Sequence, residues 1–511
     1  MQWVISLLWL LAASAAARST DGLYKLVERR LPNHVGHFRF EISNQITASH
    51  NYDQFVVKTT ANGTVGVQGN TISALSSGLH RYLTNIAHVD IYWFIGSRLH
   101  LAPSKLPLLD KPLNGSSTVY WRYHFNTGMS QCLDPSRMYL TGQVTFSYTA
   151  AFWTWEDWEL ELDWMALRGV NLPLAWPSKH GIASATFRAP GMVIYPEHGL
   201  MTNSIYEIVY DLFLDQAWSN TAIDTRDYFH RWVQSRYTGS GPIPKQLYEA
   251  WEIMRKPVYS NTNPDFSAVP KSVFEPKPAI SGLLSSKFGH GTNLTYEPAV
   301  VVKAWKAMRE AADLQQELWS NPAYQHDVVD VTRQVLTNAF IPMYEGLVST
   351  YNTSGSADDL LKIGHDIVEL LRDLDAVLFT NENFRLSTWI GAARNQAHGD
   401  ADYASYLEYQ ARNQITLWGP NGEISDYASK QWAGLVSSYY VPRWALFIAY
   451  FSSTPAAAYN ETELNGDIRK FELSWQEKAL EMPTLTTDNV DLQKVLDRVQ
   501  QRWRMIFTVS E

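Results

Sequence analysis

A helix that leads directly into an apolar strand is predicted between Phe152 and Trp176, and this junction restricts the fold more than any other segment of the chain. Thr154 is a suitable N-cap for the helix, and Gly169 is a typical C-terminal stop. The run 170–176 is short and apolar, as in a buried parallel strand. Such a helix and strand form one unit of an α/β domain, in which ligands bind at the carboxyl ends of the strands.

The helix of this junction is predicted to be amphipathic. Its large apolar side chains recur at i, i+3, i+7 and i+10, a spacing that puts them on one face, which we expect to be buried. These residues are Trp155, Trp158, Leu162 and Met165. The acidic residues of the same segment are predicted to form a solvated surface. They are Glu156, Asp157, Glu159 and Glu161.

The composition, 45% hydrophobic and 18% charged in a chain of 511 residues, describes a globular protein of several domains. Residues 1–17 combine an apolar core with a small-residue end and are predicted to be a secretory signal peptide. Residues 18–118 have the patterns of a small α+β domain, residues 119–220 those of an α/β segment, and residues 221–511 mainly helical periodicity. The predicted fold class is therefore α/β plus all-α, with a C-terminal helical bundle.

Charge and composition exclude several classes of partner and site. The net charge of −9 is spread along the chain without a basic stripe, which argues against a nucleic-acid partner. After the signal segment no apolar run is long enough to span a bilayer. Cys132 is the single cysteine, so an internal disulfide is excluded, and the 14 histidines show no metal-binding spacing. We predict neither a metal nor a cofactor, and the oligomeric state stays open.

Five N-x-Ser/Thr sequons fit passage through the secretory pathway and are predicted glycosylation sites. They are Asn62, Asn114, Asn293, Asn352 and Asn460. The predicted destination of the protein is therefore extracellular, or the lysosome or vacuole.

Sugar chemistry is suggested by the aromatic content of 13%, which includes 20 tryptophans. Most tryptophans in a chain are core residues, but Trp176 and Trp418 lie at the ends of predicted elements beside turn residues. Glycoside hydrolysis also needs two carboxyl groups on either side of the scissile bond. Glu197 is the best candidate because it ends an apolar run, although a solvated loop glutamate would fit the same pattern.

Four long motifs make the resemblance to a known family specific. They are Gly78–Leu83, Trp155–Trp176, Tyr195–Trp218 and Thr416–Tyr440, the last followed by Pro442-Arg-Trp444. Through them the chain resembles the α-N-acetylglucosaminidase family of glycoside hydrolases, the lysosomal heparan-sulfate-degrading type and its fungal relatives. The resemblance implies a small α+β domain, a (β/α)₈ TIM-type barrel and a C-terminal helical domain. It also implies removal of terminal α-linked N-acetylglucosamine from a glycan, with retention of configuration.

The resemblance assigns roles to individual residues. Pro196-Glu197 corresponds to the nucleophile motif Pro-Glu-Gly of the family, here widened by His198, which makes Glu197 the implied nucleophile. The implied substrate-binding residues fall into two groups, the first at the ends of barrel strands and the second in a wall that the helical domain adds. They are Asn126 and Trp176 in the first group, and Trp418, Ile424 and Tyr427 in the second.

The chain departs from the family pattern in its middle. The family's Asn-Glu motif, whose glutamate is the acid/base, has no counterpart in the barrel region, because the only Asn-Glu pairs are Asn381-Glu382 and Asn460-Glu461. A complete barrel takes about 250 residues, yet fewer than one hundred separate Tyr120 from Trp218. The sequence therefore predicts an incomplete barrel within 119–220. The alternative function is a catalytically inactive, truncated family member, or a splice or gene-model product, without the acid/base.

Overall fold

The computed structural model describes residues 19–43, 46, 52–125, 129–133, 152–173, 204–239, 241–259, 273–283, 294, 296–353, 355–419, 421–423, 425–426, 428–478 and 490–508. The chain divides by packing into two compact units. The first contains the described residues up to 133 together with 153–173 and most of 207–243, and the second contains those from 244 onward. The predicted signal peptide lies outside the described residues, and the predicted domain boundaries stay predictions.

The first unit begins with a sheet covered by a helix, as the sequence predicts for a small α+β domain. Helix α1 spans Asp21–Arg30, strands β1, β2 and β3 span Phe38–Ile42, Gln54–Thr59 and Val65–Gly69, and helix α2 spans Ile72–Asn85. Strands β4, β5 and β6 span Ile91–Tyr92, Gly96–Ser97 and Leu113–Ser116. The sheet order is β1-β3-β2-β6, with β1 parallel to β3 and the other pairs antiparallel.

Helix α2 approaches this sheet closely because Gly78 has no side chain. A Cβ atom there would lie 2.8 Å from Cγ1 of Val67 on β3 and 3.1 Å from the ring of Phe55 on β2. The N-cap of α2 is Thr71, whose side chain accepts a hydrogen bond from the amide of Ala74 at 3.0 Å. The motif beginning at Gly78 is therefore a packing feature of the first unit.

The predicted helix-to-strand junction is present in the first unit. Strands β7 and β8 span Trp121–Phe125 and Met129–Leu133, helix α3 spans Trp155–Leu167, and strand β9 spans Leu172–Pro173. Thr154 and Asp157 form a capping box at the start of α3, and Gly169 follows its end with a φ of 71°. Strand β9 pairs parallel with β7, whereas β8 pairs antiparallel with β7. The described strands thus show one parallel β–α–β step of the predicted barrel.

The prediction of which face of α3 is buried is wrong in part. Trp155 is 65% exposed and Leu162 is 43% exposed, whereas Glu161, predicted to be solvated, is buried. Trp164 is fully buried instead, with the guanidinium of Arg168 4.3 Å from its ring centre. The buried face of α3 differs from the prediction because of ion pairs with another helix. Two arginines of that helix draw a second acidic residue of α3 inward.

That acidic residue is Asp163, which α1 neutralises. Arg29 donates from Nη2 to Asp163 at 2.5 Å, and Arg30 donates from Nε at 2.7 Å. Glu159 pairs with the same two arginines at 3.4 Å. A carboxylate is expensive to bury unless it is paired and hydrogen-bonded. The arginines of α1 therefore decide which face of α3 is inside, and the spacing of apolar residues does not reveal them.

Among the described residues, two further helices lie in the first unit and nine in the second. Helices α4 and α5 span Ser204–Gln216 and Thr225–Arg236. In the second unit α6 to α10 span Lys245–Ile253, Pro298–Leu314, Pro322–Asn352, Ala357–Phe379 and Leu386–Asn395, and α11 to α14 span Ala401–Gln414, Val441–Ser453, Glu461–Glu477 and Leu492–Arg502. Helix α8 packs against α7 and α9, and α9 packs against α12. The predicted C-terminal helical bundle is thus present. Among the helices of the described residues, none is both long and apolar enough to cross a bilayer.

Candidate functional site

Strands β7 and β9 are held together by Arg122 and Asn171. The side chain of Asn171 accepts from the amide of Arg122 and donates to the carbonyl of Tyr120, both at 2.8 Å. The fully buried guanidinium of Arg122 donates to the carbonyl of Gly169 at 2.6 Å and pairs with the carboxylate of Asp53. The backbone register of this parallel pair is therefore fixed by buried polar contacts.

Two predicted substrate-binding residues follow these strands. Because β7 and β9 are parallel, their carboxyl ends lie at the same edge of the sheet, as ligand-binding edges do in α/β folds. The described parts of β7 and β9 end at Phe125 and Pro173. Asn126 and Trp176, as well as the predicted nucleophile Glu197, lie outside the described residues, so their assignments stay predictions.

A buried cluster of ionisable side chains lies elsewhere in the first unit. Arg168 donates to Asp90 at 2.8 Å and to Asp211 at 2.5 Å. His80 lies 3.2 Å from the carboxylate of Asp90, and the hydroxyl of Tyr228 donates to Asp211 at 2.5 Å. Ligand atoms of His80, Asp90 and Asp211 lie within 4.8 Å of one another, a spacing that could hold a metal ion. However, the Arg168 guanidinium already pairs with both carboxylates, so these residues fit an ion-pair cluster that joins α2, α3, α4 and α5.

Glu207 is a second buried carboxyl group of the first unit. It accepts a hydrogen bond from the amide of Trp93 at 3.0 Å, and Nη1 of Arg236 lies 3.4 Å from its other oxygen. Burial raises the pKa of Glu207 to about 8, against the opposing charges of Arg236 and Arg168. This group therefore titrates near neutral pH in the folded protein.

In the second unit, the segment 416–426, here named the Trp418 loop, contains two of the three predicted wall residues, Trp418 and Ile424. The sequence predicts a Gly-Pro-Asn-Gly turn here, and the backbone has positive φ angles at Trp418 (45°), Gly419 (130°), Gly422 (69°) and Asp426 (63°). Positive φ is rare for a bulky residue such as tryptophan. Trp418 is half-buried, while the other wall residues, Ile424 and Tyr427, lie outside the described residues.

The end of the Trp418 loop is fixed by a buried ion pair. Asp426 receives two hydrogen bonds from Arg443 of α12, at 2.8 and 2.9 Å, in a bidentate arrangement. Its carboxylate also accepts from the amide of Lys277 at 3.0 Å, and its own amide donates to the carbonyl of Thr416 at 2.7 Å. Both carboxylate oxygens and the amide of Asp426 thus have partners that fix the end of the loop.

Arg443 is 1% exposed and has further partners in the core. Its Nη1 donates to the carbonyl of Glu275 at 3.2 Å, and its Nε lies 3.3 Å from Glu472 of α13. Burial by itself would lower the pKa of Arg443, but the carboxylates of Asp426 and Glu472 and the phenol of Tyr439 outweigh it and raise that pKa well above its usual value. Arg443 therefore remains charged and links the loop to α13 and the segment around Glu275.

The anchoring residues Asp426 and Arg443 were not among the predicted site residues. Both fall in motifs that carry the family resemblance, Thr416–Tyr440 and Pro442-Arg-Trp444. A charged residue inside an otherwise apolar run, as Arg443 is in α12, is a sequence signal for a buried ion pair. It does not identify the partner, which lies 17 residues away.

Comparison with family models places three consecutive parts of the chain in one family. The model described as alpha-N-acetylglucosaminidase C-terminal domain matches residues 228–502, which is more than half of the chain. The N-terminal domain model of that family matches residues 21–108, and its tim-barrel domain model matches residues 138–196.

The alpha-N-acetylglucosaminidase of Homo sapiens is 29% identical to this chain over 302 residues, which cover 58% of the chain and 39% of the human protein. The chain thus spans about two fifths of the length of this relative. Structures of a family 89 glycoside hydrolase from Clostridium perfringens are similar in fold at 17% identity, covering 98% of this chain and 82% of theirs. The complex with its substrate GlcNAc-alpha-1,4-galactose and the complex with 2-acetamido-1,2-dideoxynojirmycin both have a TM-score of 0.76. With all three domain models matched in order, the chain belongs to the α-N-acetylglucosaminidase family.

Proposed function

We propose that this protein is a glycoside hydrolase that removes terminal α-linked N-acetylglucosamine from a glycan with retention of configuration. The observation that carries the proposal is the match of residues 228–502 to the family's C-terminal domain, a segment that includes the Trp418 loop. The fold similarity to a bacterial glycoside hydrolase captured with its GlcNAc-containing substrate supports the same substrate class. In this proposal no cofactor takes part.

The chemistry of the substrate requires a nucleophile from the protein. In an α-glucosaminide the 2-acetamido group lies on the same face as the leaving oxygen, so it cannot attack the anomeric carbon from behind. A carboxylate must do so, and Glu197 has this role in the proposal. Asn126 and Trp176 would bind the sugar at the strand ends, and Trp418, Ile424 and Tyr427 would form a wall against which the pyranose packs.

A second candidate function, an inactive family member, is favoured by three observations. The family's barrel model matches only residues 138–196, and the alignment covers 39% of the human relative. The acid/base motif also has no counterpart in the barrel region of the sequence. Loss of a general acid removes a contribution of about 10²–10⁴ to the rate. In this alternative the protein would retain the fold and at most bind a glycan.

Hydrolysis of chromogenic glycosides tests the proposal against the alternative. We expect the purified protein to release nitrophenol from nitrophenyl α-N-acetylglucosaminide and not from the β-anomer or the α-glucoside, and proton NMR should show the α-anomer of the sugar as the first product. A folded protein without turnover would support the inactive alternative. A first product of β configuration would contradict retention.

We also propose that the protein enters the secretory pathway and is glycosylated. Four of the predicted asparagines are exposed, namely Asn62, Asn114, Asn352 and Asn460, and Asn293 lies outside the described residues. The side chain of Asn460 accepts from the amides of Thr462 and Glu463 and caps α13, so replacing Asn460 itself would also remove a helix cap.

Thr462→Ala removes the sequon and leaves the cap of α13 intact. In protein secreted from a eukaryotic host, we expect this variant to lose the mass of one glycan, with the same thermal midpoint. Intact-mass spectrometry before and after enzymatic removal of N-glycans measures the difference. A decrease equal only to the difference between threonine and alanine would show that Asn460 carries no glycan.

A further inference from the structure

The backbone of Trp418 is held in an unfavourable conformation. Its φ of 45° lies in the left-handed region, where a bulky residue costs about 1–3 kcal/mol. Such a conformation persists only where surrounding contacts determine it, and it is common at ligand clamps. Contacts of the Trp418 loop with neighbouring residues therefore hold the backbone of Trp418 in this conformation.

The first of these contacts come from Asn413 in the last turn of α11. Its carbonyl accepts from the amide of Trp418 at 2.7 Å. Its side-chain oxygen accepts from the amide of Gly419 at 2.8 Å, and its side-chain nitrogen donates to the carbonyl of Gly419 at 2.9 Å. One side chain thus pairs both polar groups of the residue that follows Trp418, and it is itself buried.

The chemistry of this contact requires an asparagine. The amide group supplies one donor and one acceptor at the distance that the Gly419 backbone demands. Aspartate has the same shape but no donor, and its carboxylate would face the carbonyl of Gly419. Alanine would leave two polar backbone groups near Trp418 without these partners.

The far end of the Trp418 loop is fixed independently. Asp426 closes the loop through Thr416 and is bonded to Arg443 and Lys277. The two ends of the loop are thus anchored to α11 and α12 by separate contacts. Trp418 lies beside the Asn413 anchor, five residues along the chain and one hydrogen bond away.

We propose that Asn413 is a positioning residue for sugar binding, which acts by holding Trp418 in the orientation that the pyranose requires. This inference rests on the proposed function, in which Trp418 forms part of the substrate-binding wall. A stacking ring binds the ground state and the transition state alike, so its displacement raises KM and leaves kcat almost unchanged. A merely structural role would lower the amount of folded protein without raising KM.

The variant Asn413→Asp tests this role. We expect KM for nitrophenyl α-N-acetylglucosaminide to rise about tenfold, with kcat within about threefold of wild type. We expect hydrogen exchange at the Gly419 amide to accelerate, because the clamp that protects it is weakened. The matched control is Asn338→Asp, another buried asparagine of this unit, whose side chain bonds Gln334 and Tyr296. This control should leave KM and the Gly419 exchange rate unchanged.

The outcomes separate this inference from the proposed function. An unchanged KM for Asn413→Asp in an active protein would overturn the positioning role and leave the proposed function intact. If the wild type has no turnover, the proposed function fails, and calorimetric binding of 2-acetamido-1,2-dideoxynojirmycin replaces KM as the readout. A tenfold weaker affinity of Asn413→Asp would then support positioning, and equal affinities would overturn it. Absence of binding by the wild type would overturn both proposals.

Discussion

Replacing Arg443 by methionine is expected to lower the free energy of unfolding of the C-terminal unit by about 3–5 kcal/mol. Methionine fills most of the volume of the arginine but leaves the buried carboxylate of Asp426 without its bidentate partner. It also removes the charge closest to Glu472, whose pKa burial already raises against the opposing charge of Arg443. Removing one member of a buried ion pair is costly because the other remains charged in a poorly solvated site.

Guanidinium chloride denaturation followed by far-ultraviolet circular dichroism measures this loss. The control is Lys470→Met, which removes an exposed ion pair with Asp467 on α13. Exposed pairs contribute little to stability, so the control should leave the transition midpoint unchanged. Equal midpoints for Arg443→Met and wild type would show that the Asp426–Arg443 pair does not hold this unit together.

The second large effect is a loss of stability as the pH rises toward 8, caused by Glu207. Its pKa is about 8 in the folded protein and near the ordinary value of 4.5 when unfolded. Between these values the folded state holds the proton that the unfolded state has released, so stability falls as pH rises, by about 1.4 kcal/mol per pH unit. Below the lower value both states are protonated, and this contribution is fully present.

The variant Glu207→Gln should remove this dependence. Glutamine is neutral at every pH and can still accept from the amide of Trp93. We expect wild-type stability to fall by about 3–4 kcal/mol between pH 5 and pH 8, and the variant to show a correspondingly flatter curve. Asp90 does not contribute to this pH dependence, because its pKa lies below the usual value of 3.8. Burial would raise that pKa, but Arg168 and His80 outweigh the effect of burial.

Chemical denaturation at several pH values provides the comparison, with Glu28→Gln, an exposed glutamate of α1, as the control. Parallel stability curves for wild type and Glu207→Gln would contradict the raised pKa. A steeper curve for the variant would do so as well. One predicted destination, the lysosome or vacuole, is acidic. The expected increase in stability at low pH would suit a protein of such a compartment.

Local sequence chemistry predicted the helix of the helix-to-strand junction in the first unit correctly. Thr154 and Gly169 mark the start and the end of α3 as expected, because capping depends on residues close together in the chain. The parallel pairing of β7 with β9 was also foreseeable, since a helix joins them. The further strands of a barrel are not shown by the described residues, and that part of the prediction stays untested.

Contacts between distant residues were harder to predict. The inward rotation of Asp163 depends on Arg29 and Arg30, more than one hundred residues earlier in the chain. The apolar spacing of α3 therefore suggested the wrong face. In the Trp418 loop the turn was expected from its glycines, but the roles of Asn413 and Asp426 depend on hydrogen-bond geometry that no local pattern reveals.

The proposal that this chain acts as an α-N-acetylglucosaminidase with Glu197 as nucleophile can be tested by a single comparison. Wild type and Glu197→Gln should be assayed side by side on nitrophenyl α-N-acetylglucosaminide, with Glu28→Gln as an exposed control and equal thermal midpoints as the condition for comparison. We expect turnover by the wild type and the control, and a loss of about 10³-fold or more in Glu197→Gln. Turnover that survives in Glu197→Gln, or a folded wild type without turnover, would contradict it.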